Sequence, residues 1–186
     1  YDFVMIKGGT GKMSSSSGEL ITLGEVLEIY DPQMVRWIFA NQRPNHDFSL
    51  AFDEDVIKTY EEFDKAESIA LGPEPKKLGK YPLIKRVYEL SLVEGVLPER
   101  TPVRPSFRTL CNNLQICDKD PRRTYERYYA DEVKTDADKD AFHKRVQCAI
   151  NWLDLYAPND FVYAINKEPV SIPLSDNQSK AVAALK

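Results

Sequence analysis

Apolar residues recur at helical spacing along most of this chain. In residues 23–30 they follow the i, i+3, i+4, i+7 pattern of one helix face. Thr22 and Glu25 have the spacing of a capping box, in which two side chains satisfy free backbone N–H groups at a helix start. Asp31 followed by Pro32 predicts the start of a second helix, because aspartate caps well and proline fits the first helical position.

Five further segments are predicted to be helical. A helix capped by Asp53 is expected to run to about Ala70, and a last helix to start at Ser175, with Gln178 at capping-box distance. The other three carry apolar residues three or four positions apart. They cover residues 106–116, about 121–130 and about 136–156.

Two short segments are predicted to be strands. Residues 3–6 form a continuous apolar run that stops at a glycine-rich loop, which is typical of a buried strand. Residues 48–52 alternate between large apolar and small residues. We expect the partners of the first strand to lie in sequence upstream of this chain, which starts at Tyr1 and is expected to be a fragment.

Residues 72–105 interrupt the helical pattern. They contain six prolines and three glycines around the apolar stretch Ile84–Val93. Because proline and glycine break regular structure, this segment is predicted to be the boundary between two subdomains. The predicted fold is mainly α.

Composition and charge add two constraints. The chain has 186 residues, 42% of them apolar, which is enough for a packed core. Its net charge of −4 is uneven: residues 1–72 carry −7 and residues 73–186 carry +3. Within 76–127, 12 Lys/Arg stand against 6 Asp/Glu. This excess is compatible with a surface that faces a polyanion, although a solvated surface without a partner gives the same pattern.

The sequence patterns of several common metal, catalytic and nucleotide-binding sites are absent from this chain. Cys111 and Cys117 are six residues apart, and the two histidines lie far apart, so no zinc or other metal site is predicted. Neither a Gly-x-Ser-x-Gly elbow nor a Gly-x-Gly-x-x-Gly loop is present. The odd number of cysteines, the lack of a signal peptide and the lack of an apolar run of about 18 residues predict a cytoplasmic protein.

Lys12 lies in a glycine- and serine-rich loop that follows the first predicted strand. This loop is not a P-loop, because Ile6 occupies the position of the first glycine and Met13 that of the Ser/Thr. A lysine on such a loop can still reach a phosphate, and nearby serines and backbone N–H groups can add neutral donors. The alternative is a surface loop without chemistry.

The residues Lys12-Met13-Ser14-Ser15-Ser16 resemble the Lys-Met-Ser-Lys-Ser signature of class I aminoacyl-tRNA synthetases. Ser15 stands where the signature has its second lysine, and this variant resembles class I lysyl-tRNA synthetases. The resemblance covers residues 2–116 well and the remainder loosely. It continues through 23–30, 36–40, 43–45, 48–52, 60–64, 88–91 and 106–108.

The resemblance implies a parent enzyme that activates lysine with ATP, accompanied by Mg²⁺, and transfers the lysyl group to lysine tRNA. Lys12 would stabilise the leaving pyrophosphate, within an ATP-binding loop formed by Lys12, Met13, Ser14, Ser15 and Ser16. Residues 1–18 would end a Rossmann-type catalytic domain and 19–72 would form a stem-contact-like α/β region. After the connection 73–105, residues 106–186 would begin a helical anticodon-binding-type domain.

The family's His-x-Gly-His signature is missing from this sequence, since neither His46 nor His143 lies in such a motif. The isolated chain is therefore expected to be inactive. Separately, the parent enzyme is expected to be a monomer. Two alternatives stay open: a stand-alone tRNA-binding helical module, and a class I synthetase for glutamate or cysteine.

Arginines are the candidate contacts to tRNA phosphates, although an arginine is more often a surface residue or an ion-pair partner. Trp37 and Trp152 lie on or beside helical stripes and are predicted to be core residues. The candidate arginines are Arg36, Arg43, Arg104, Arg108, Arg122 and Arg123.

Overall fold

The computed structural model describes residues 4–7, 21–168 and 173–184. Within these ranges the chain is mainly helical, as predicted, with one short two-stranded sheet. The elements are β1 (Val4–Ile6), α1 (Leu23–Ile29), α2 (Pro32–Ala40), β2 (Phe48–Leu50), α3 (Asp55–Leu71), α4 (Tyr81–Ser91), α5 (Phe107–Ile116), α6 (Pro121–Tyr128), α7 (Asp136–Leu155) and α8 (Asp176–Ala184).

The predicted helix caps at the start of α1 and α2 are confirmed. The Thr22 N–H donates to the Glu25 carboxylate at 2.7 Å, and the Glu25 N–H donates to the Thr22 hydroxyl oxygen at 3.2 Å. Asp31 Oδ1 accepts from the N–H groups of the second and third residues of α2, with Pro32 at the first position. These local bonds set the boundaries of both helices without long-range contacts.

The start of α3 differs from its prediction. The helix begins at Asp55, and Glu54 occupies the cap position without a side-chain hydrogen bond. Asp53 still contributes, because its Oδ1 accepts from the Asp55 N–H at 3.1 Å. The cap expected from the sequence is thus displaced by one residue.

Strand β1 pairs in parallel with β2, with Val4 opposite Phe48 and Ile6 opposite Leu50. One partner of β1 thus lies within this chain, whereas its partners were expected in upstream sequence. Parallel strands need a crossover connection, which here contains α1 and α2. The sequence pattern showed both strands but carried no information on their pairing.

The segment 73–105 contains helix α4, which was not predicted as a separate element. Pro82 is tolerated there because it lies in the first turn, where backbone N–H groups have no helical partner. The helix buries Val87 and Tyr88, and it packs against α2 and α3. The proline- and glycine-rich segment is therefore more than a linker.

An aromatic core connects the two sides of that segment. The rings of Tyr60 on α3 and Phe107 on α5 stack at 3.9 Å, and Phe107 lies 5.7 Å from the Trp152 ring on α7. The Trp152 indole N–H donates to the Phe52 carbonyl at 3.0 Å. Trp37 is also buried, so the prediction that both tryptophans belong to the core is confirmed.

In the part of the chain that the structure describes, every helix is too short or too polar to cross a membrane.

Candidate functional site

The predicted ATP-binding loop, Lys12 to Ser16, lies outside the described residues, but elements on both sides of it are described. On the β1 side, the Lys7 N–H donates to the Leu50 carbonyl at 3.0 Å. The Lys7 ammonium forms ion pairs with Asp53, at 3.6 Å, and with Asp55. On the other side, the Thr22 capping box starts α1. Both flanks of the loop are thus attached to structured elements.

Five of the six candidate arginines reach the surface. Arg36 and Arg43 are exposed, and Arg36 Nη2 donates to the Leu90 carbonyl at 3.1 Å. The other three form exposed ion pairs: Arg108 with Glu61 at 3.7 Å, Arg122 with Glu126 at 2.8 Å, and Arg123 with Asp118 at 3.3 Å. Exposed pairs of this kind are weak, so these guanidinium groups can exchange partners with a phosphate.

Arg104 is different, because its side chain is only 9% exposed. Its guanidinium donates to Glu67 at 2.6 Å and to Asp64 at 3.2 Å, both on α3. Burial alone would lower the pKa of Arg104, but the two carboxylates more than offset this and raise it. This arrangement favours a structural role for Arg104, which attaches the segment before α5 to α3.

Arg145 on α7 completes the same network and was not recognised in the sequence. It is 4% exposed, and its guanidinium donates to Asp64 at 2.7 Å and to the Pro105 carbonyl at 2.9 Å. The guanidinium also lies over the Tyr60 ring, 5.1 Å from its centroid. One buried cluster of charges therefore joins α3, α7 and the chain entering α5.

Tyr88 extends this cluster to α4. Its hydroxyl donates to Glu67 at 2.9 Å, and the tyrosine ring is fully buried. Burial, followed by the nearby Glu67 carboxylate, raises the pKa of Tyr88 well above its ordinary value. The hydroxyl therefore stays protonated and donates, rather than serving as a base.

A second ion pair attaches the N-terminus of α7 to the segment 98–105. Asp138 accepts from Arg100 at 2.8 and 2.9 Å, from the Val103 N–H at 2.7 Å and from the Thr135 hydroxyl at 2.6 Å. These bonds, those from Arg100 first, hold the pKa of Asp138 well below its usual range. The carboxylate also lies in the first turn of α7, where negative charge is favoured.

The lowered pKa of Asp138 predicts how stability responds to acid. A carboxyl whose pKa is lower in the folded state stabilises the fold fully above its unfolded pKa of about 4, and this contribution is lost as pH falls through the folded value. We expect D138N to be less stable than the unsubstituted chain at pH 7, with a shallower decline below about pH 4. Urea unfolding at several pH values measures this, and parallel declines in the two proteins would contradict it.

A cleft of about 680 Å³ lies between α2, α4, the segment 92–104 and the start of α7. Four basic side chains line it, and each is paired with a carboxylate. The groups are Arg100, Arg104, Lys144 and Arg145. Arg104 and Arg145 are buried with their carboxylate partners, so these ion pairs join neighbouring elements at the cleft.

The cysteines have no arrangement for catalysis or metal binding in the described residues. All three are buried and unpaired, and burial raises the pKa of Cys111 to about 12 and that of Cys148 to about 11. A protonated thiol is a poor nucleophile. Over the described ranges, no group of three or more His, Cys, Asp or Glu side chains is placed to hold a metal ion.

The sequence did contain a signal for the buried charges. Asp64 and Glu67 continue the apolar stripe of α3 that includes Tyr60 and Phe63, and Arg145 lies beside the stripe of α7. A charged residue on a core-facing stripe needs a buried partner of opposite charge. The identity of that partner depends on how the helices pack.

Comparison with known proteins identifies the family. Residues 1–94, half of the chain, match the family described as tRNA synthetases class I (K). The chain belongs to this family of class I tRNA synthetases. The matched range of this synthetase chain includes the predicted loop, the short parallel sheet and helices α1 to α4.

Relatives of this class I synthetase chain are similar over its whole length. It is 39% identical to a lysine–tRNA ligase of Treponema pallidum and 41% identical to one of Borreliella burgdorferi, over 100% of the chain in both cases. It is 36% identical to a lysine–tRNA ligase of Thermococcus kodakarensis over 94% of the chain. The matched parts are only 34–35% of those proteins, so the chain spans about a third of their length.

Proposed function

We propose that this chain is part of a lysine–tRNA ligase. The observation that carries this proposal is the 39–41% identity to two such ligases over the entire chain, combined with the family match. The enzyme would join the lysine carboxylate to the α-phosphate of ATP with release of pyrophosphate. A hydroxyl of the terminal adenosine of lysine tRNA would then attack the lysyl carbonyl, and AMP would leave.

Lys12 is proposed to act in the first of these steps. Negative charge accumulates on the pyrophosphate as its bond to the α-phosphate breaks, and a mobile ammonium group can stabilise that charge. Met13 and the serines 14–16 would shape the loop, and Mg²⁺ would accompany ATP. The family match over residues 1–94, which include this loop, supports the role.

The remainder of the chain is proposed to bind tRNA. Residues 1–18 would close the catalytic domain, 19–72 would contact the acceptor stem, 73–105 would connect, and 106–186 would begin the anticodon-side domain. Five of the candidate arginines support this proposal by their exposure, and we leave Arg104 out because it is buried in ion pairs. The contacts proposed for tRNA are Arg36, Arg43, Arg108, Arg122 and Arg123.

Lysine is favoured over glutamate or cysteine as the amino acid because the relatives described above are lysine–tRNA ligases. A cytoplasmic location is proposed as well, since three buried, unpaired cysteines fit a reducing compartment.

The isolated chain is expected to show no lysine-dependent exchange of pyrophosphate into ATP. Catalysis needs ATP and lysine held together in a reactive orientation, and the proposed loop would supply only one side of that site. The assay should be run with and without tRNA, alongside the full-length protein that contains this chain as the positive control. Exchange by the pure isolated chain would contradict the proposal that this chain supplies only one side of the ATP site. Exchange by the full-length protein with glutamate or cysteine but not with lysine would overturn the assignment to lysine.

A further inference from the structure

Five cationic residues cluster in and just before helix α4, and none of them was among the candidate tRNA contacts. Residues 75–88 contain five Lys/Arg and no Asp/Glu, in a chain whose net charge is −4. Four of the five side chains are exposed and that of Lys85 is half-buried. We call the group the α4 basic surface; it consists of Lys76, Lys77, Lys80, Lys85 and Arg86.

The α4 basic surface is largely unneutralised. Within the described ranges, the ammonium groups of its four lysines have no carboxylate within 4.0 Å. Arg86 pairs with Glu89 at 3.4 Å, in an exposed pair that contributes little. The candidates Arg108, Arg122 and Arg123 each form an exposed pair of the same kind, whereas the four lysines form none with the described residues. Four lysines without a close carboxylate in the described chain therefore lie together in and just before α4.

The backbone holds these charges in place. Gly79 has a φ of +43°, which favours glycine, and the turn around it closes with a hydrogen bond from the Tyr81 N–H to the Leu78 carbonyl at 2.7 Å. Tyr81 is buried, and the Lys85 ammonium lies 5.8 Å from the centroid of its ring. A surface supported in this way loses less conformational entropy on binding than one on a free loop.

Arg36 lengthens the surface. Its guanidinium bonds to the Leu90 carbonyl at the C-terminal end of α4, so a candidate on α2 lies beside the helix that carries Arg86. From Lys80 to Arg86 the helix rises about 9 Å. Cations spaced along this distance match an extended array of negative charges better than one isolated anion.

The apolar face of α4 argues against a lipid surface as the partner. A helix that binds in a membrane interface needs a free apolar face, whereas α4 packs its Val87 and Tyr88 side against α2 and α3. The exposed side presents Lys80 and Arg86 together with two exposed leucines, Leu83 and Leu90. Lysine ammonium groups bind phosphates as point charges, without demanding a particular base sequence.

We propose that the α4 basic surface binds the phosphodiester backbone of tRNA. This inference rests on the proposed function, which supplies tRNA as the partner. The surface contributes affinity and orientation through charge, and it makes no base-specific contacts.

The test compares two neutralised variants of the full-length protein that contains this chain. K76Q/K77Q/K80Q/R86Q removes four charges from the α4 basic surface, and the matched control K58Q/K65Q/K134Q/K180Q removes four exposed charges elsewhere. The dissociation constant for the tRNA is measured from about 0.05 to 0.3 M salt. Each phosphate contact adds about 0.7–0.9 to the magnitude of the negative slope of log affinity against log salt concentration. The slope of the first variant should therefore be smaller in magnitude by about 3 than that of the unsubstituted protein.

At about 0.1 M salt we also expect at least about tenfold weaker tRNA binding by the first variant, and a change below about threefold in the control. The charge-retaining variant K76R/K77R/K80R/R86K should bind like the unsubstituted protein, and thermal unfolding should be unchanged in all variants. An unchanged slope, an equal loss in the control, or no tRNA binding by the unsubstituted protein would overturn the proposal.

Two further measurements separate the causes of failure. If the first variant loses binding to phosphatidylserine vesicles and keeps its tRNA affinity, the surface faces a membrane and the proposal is wrong. Lysylation of tRNA by the unsubstituted protein is measured independently. Absence of lysylation together with the expected loss of slope would overturn the proposed function and leave the RNA-binding surface standing.

Discussion

Replacing Arg145 with methionine is expected to lower the free energy of unfolding by about 3 kcal/mol. Methionine retains most of the side-chain volume, so the main loss is the charge that pairs with Asp64 and the donor to the Pro105 carbonyl. The substitution leaves the Pro105 carbonyl without its donor and Asp64 with Arg104 as its remaining partner. We place the effect at the lower end of the range for broken buried pairs because the Asp64 side chain is 31% exposed.

Urea unfolding followed by circular dichroism measures this difference. R122M is the matched control, since Arg122 is 87% exposed and pairs only with Glu126; it should leave the free energy of unfolding almost unchanged. The double variant D64N/R145M should lose less stability than the sum of the two single variants, because it removes both charges of the pair. A loss below about 1 kcal/mol for R145M would mean that the buried pair is not needed to join α3 and α7.

Replacing Lys12 with alanine in the full-length protein is expected to lower the rate of lysine activation by about 10²-fold or more, the scale of losing one donor to transition-state charge. The KM for ATP should change much less, because the proposed contact strengthens only as the pyrophosphate leaves. Pre-steady-state formation of the adenylate, measured over a range of ATP concentrations, separates the two quantities.

The control for Lys12 is K58A, which removes an exposed lysine from α3 and should leave the rate within about twofold. A second variant, S15K, restores the lysine that the family signature has at this position. A rate loss of tenfold or less in K12A, or an effect confined to the KM for ATP, would show that Lys12 does not act in the transition state. If the double variant K12A/S15K recovers the rate of lysine activation that K12A loses, the loop needs a cation but not at one fixed position.

Local sequence chemistry was sufficient for most element boundaries. Thr22 with Glu25, and Asp31 with Pro32, are short-range signals whose bonding partners lie within three residues, and both caps formed as predicted. Helix α4, which was not predicted, shows where local signals are insufficient. Pro82 and the surrounding glycines indicated a break, whereas burial of Tyr88 against α2 and α3 stabilises a helix there.

The roles of the arginines could not be predicted in the same way. Arg104 and Arg108 are four residues apart in one basic stretch, yet Arg104 is 9% exposed and Arg108 57% exposed. Nothing in their local sequence separates them, because burial is decided by which helix covers each side chain. The same is true of Lys76 and Lys80, whose lack of close carboxylate partners among the described residues is a property of the packed surface.

The sequence by itself determined the helical character of this chain, its caps, its tryptophan core positions and the loop signature that led to a family. These features depend on neighbours a few positions away, so they can be read from spacing. Only the tertiary structure decided that β1 pairs with β2, that Asp64, Arg104 and Arg145 form one buried cluster, and that the free positive charge lies on α4. The physical reason is that electrostatic energy depends on distance and on exclusion of water, and both are set by contacts between distant residues, such as Asp64 and Arg145, which are 81 positions apart.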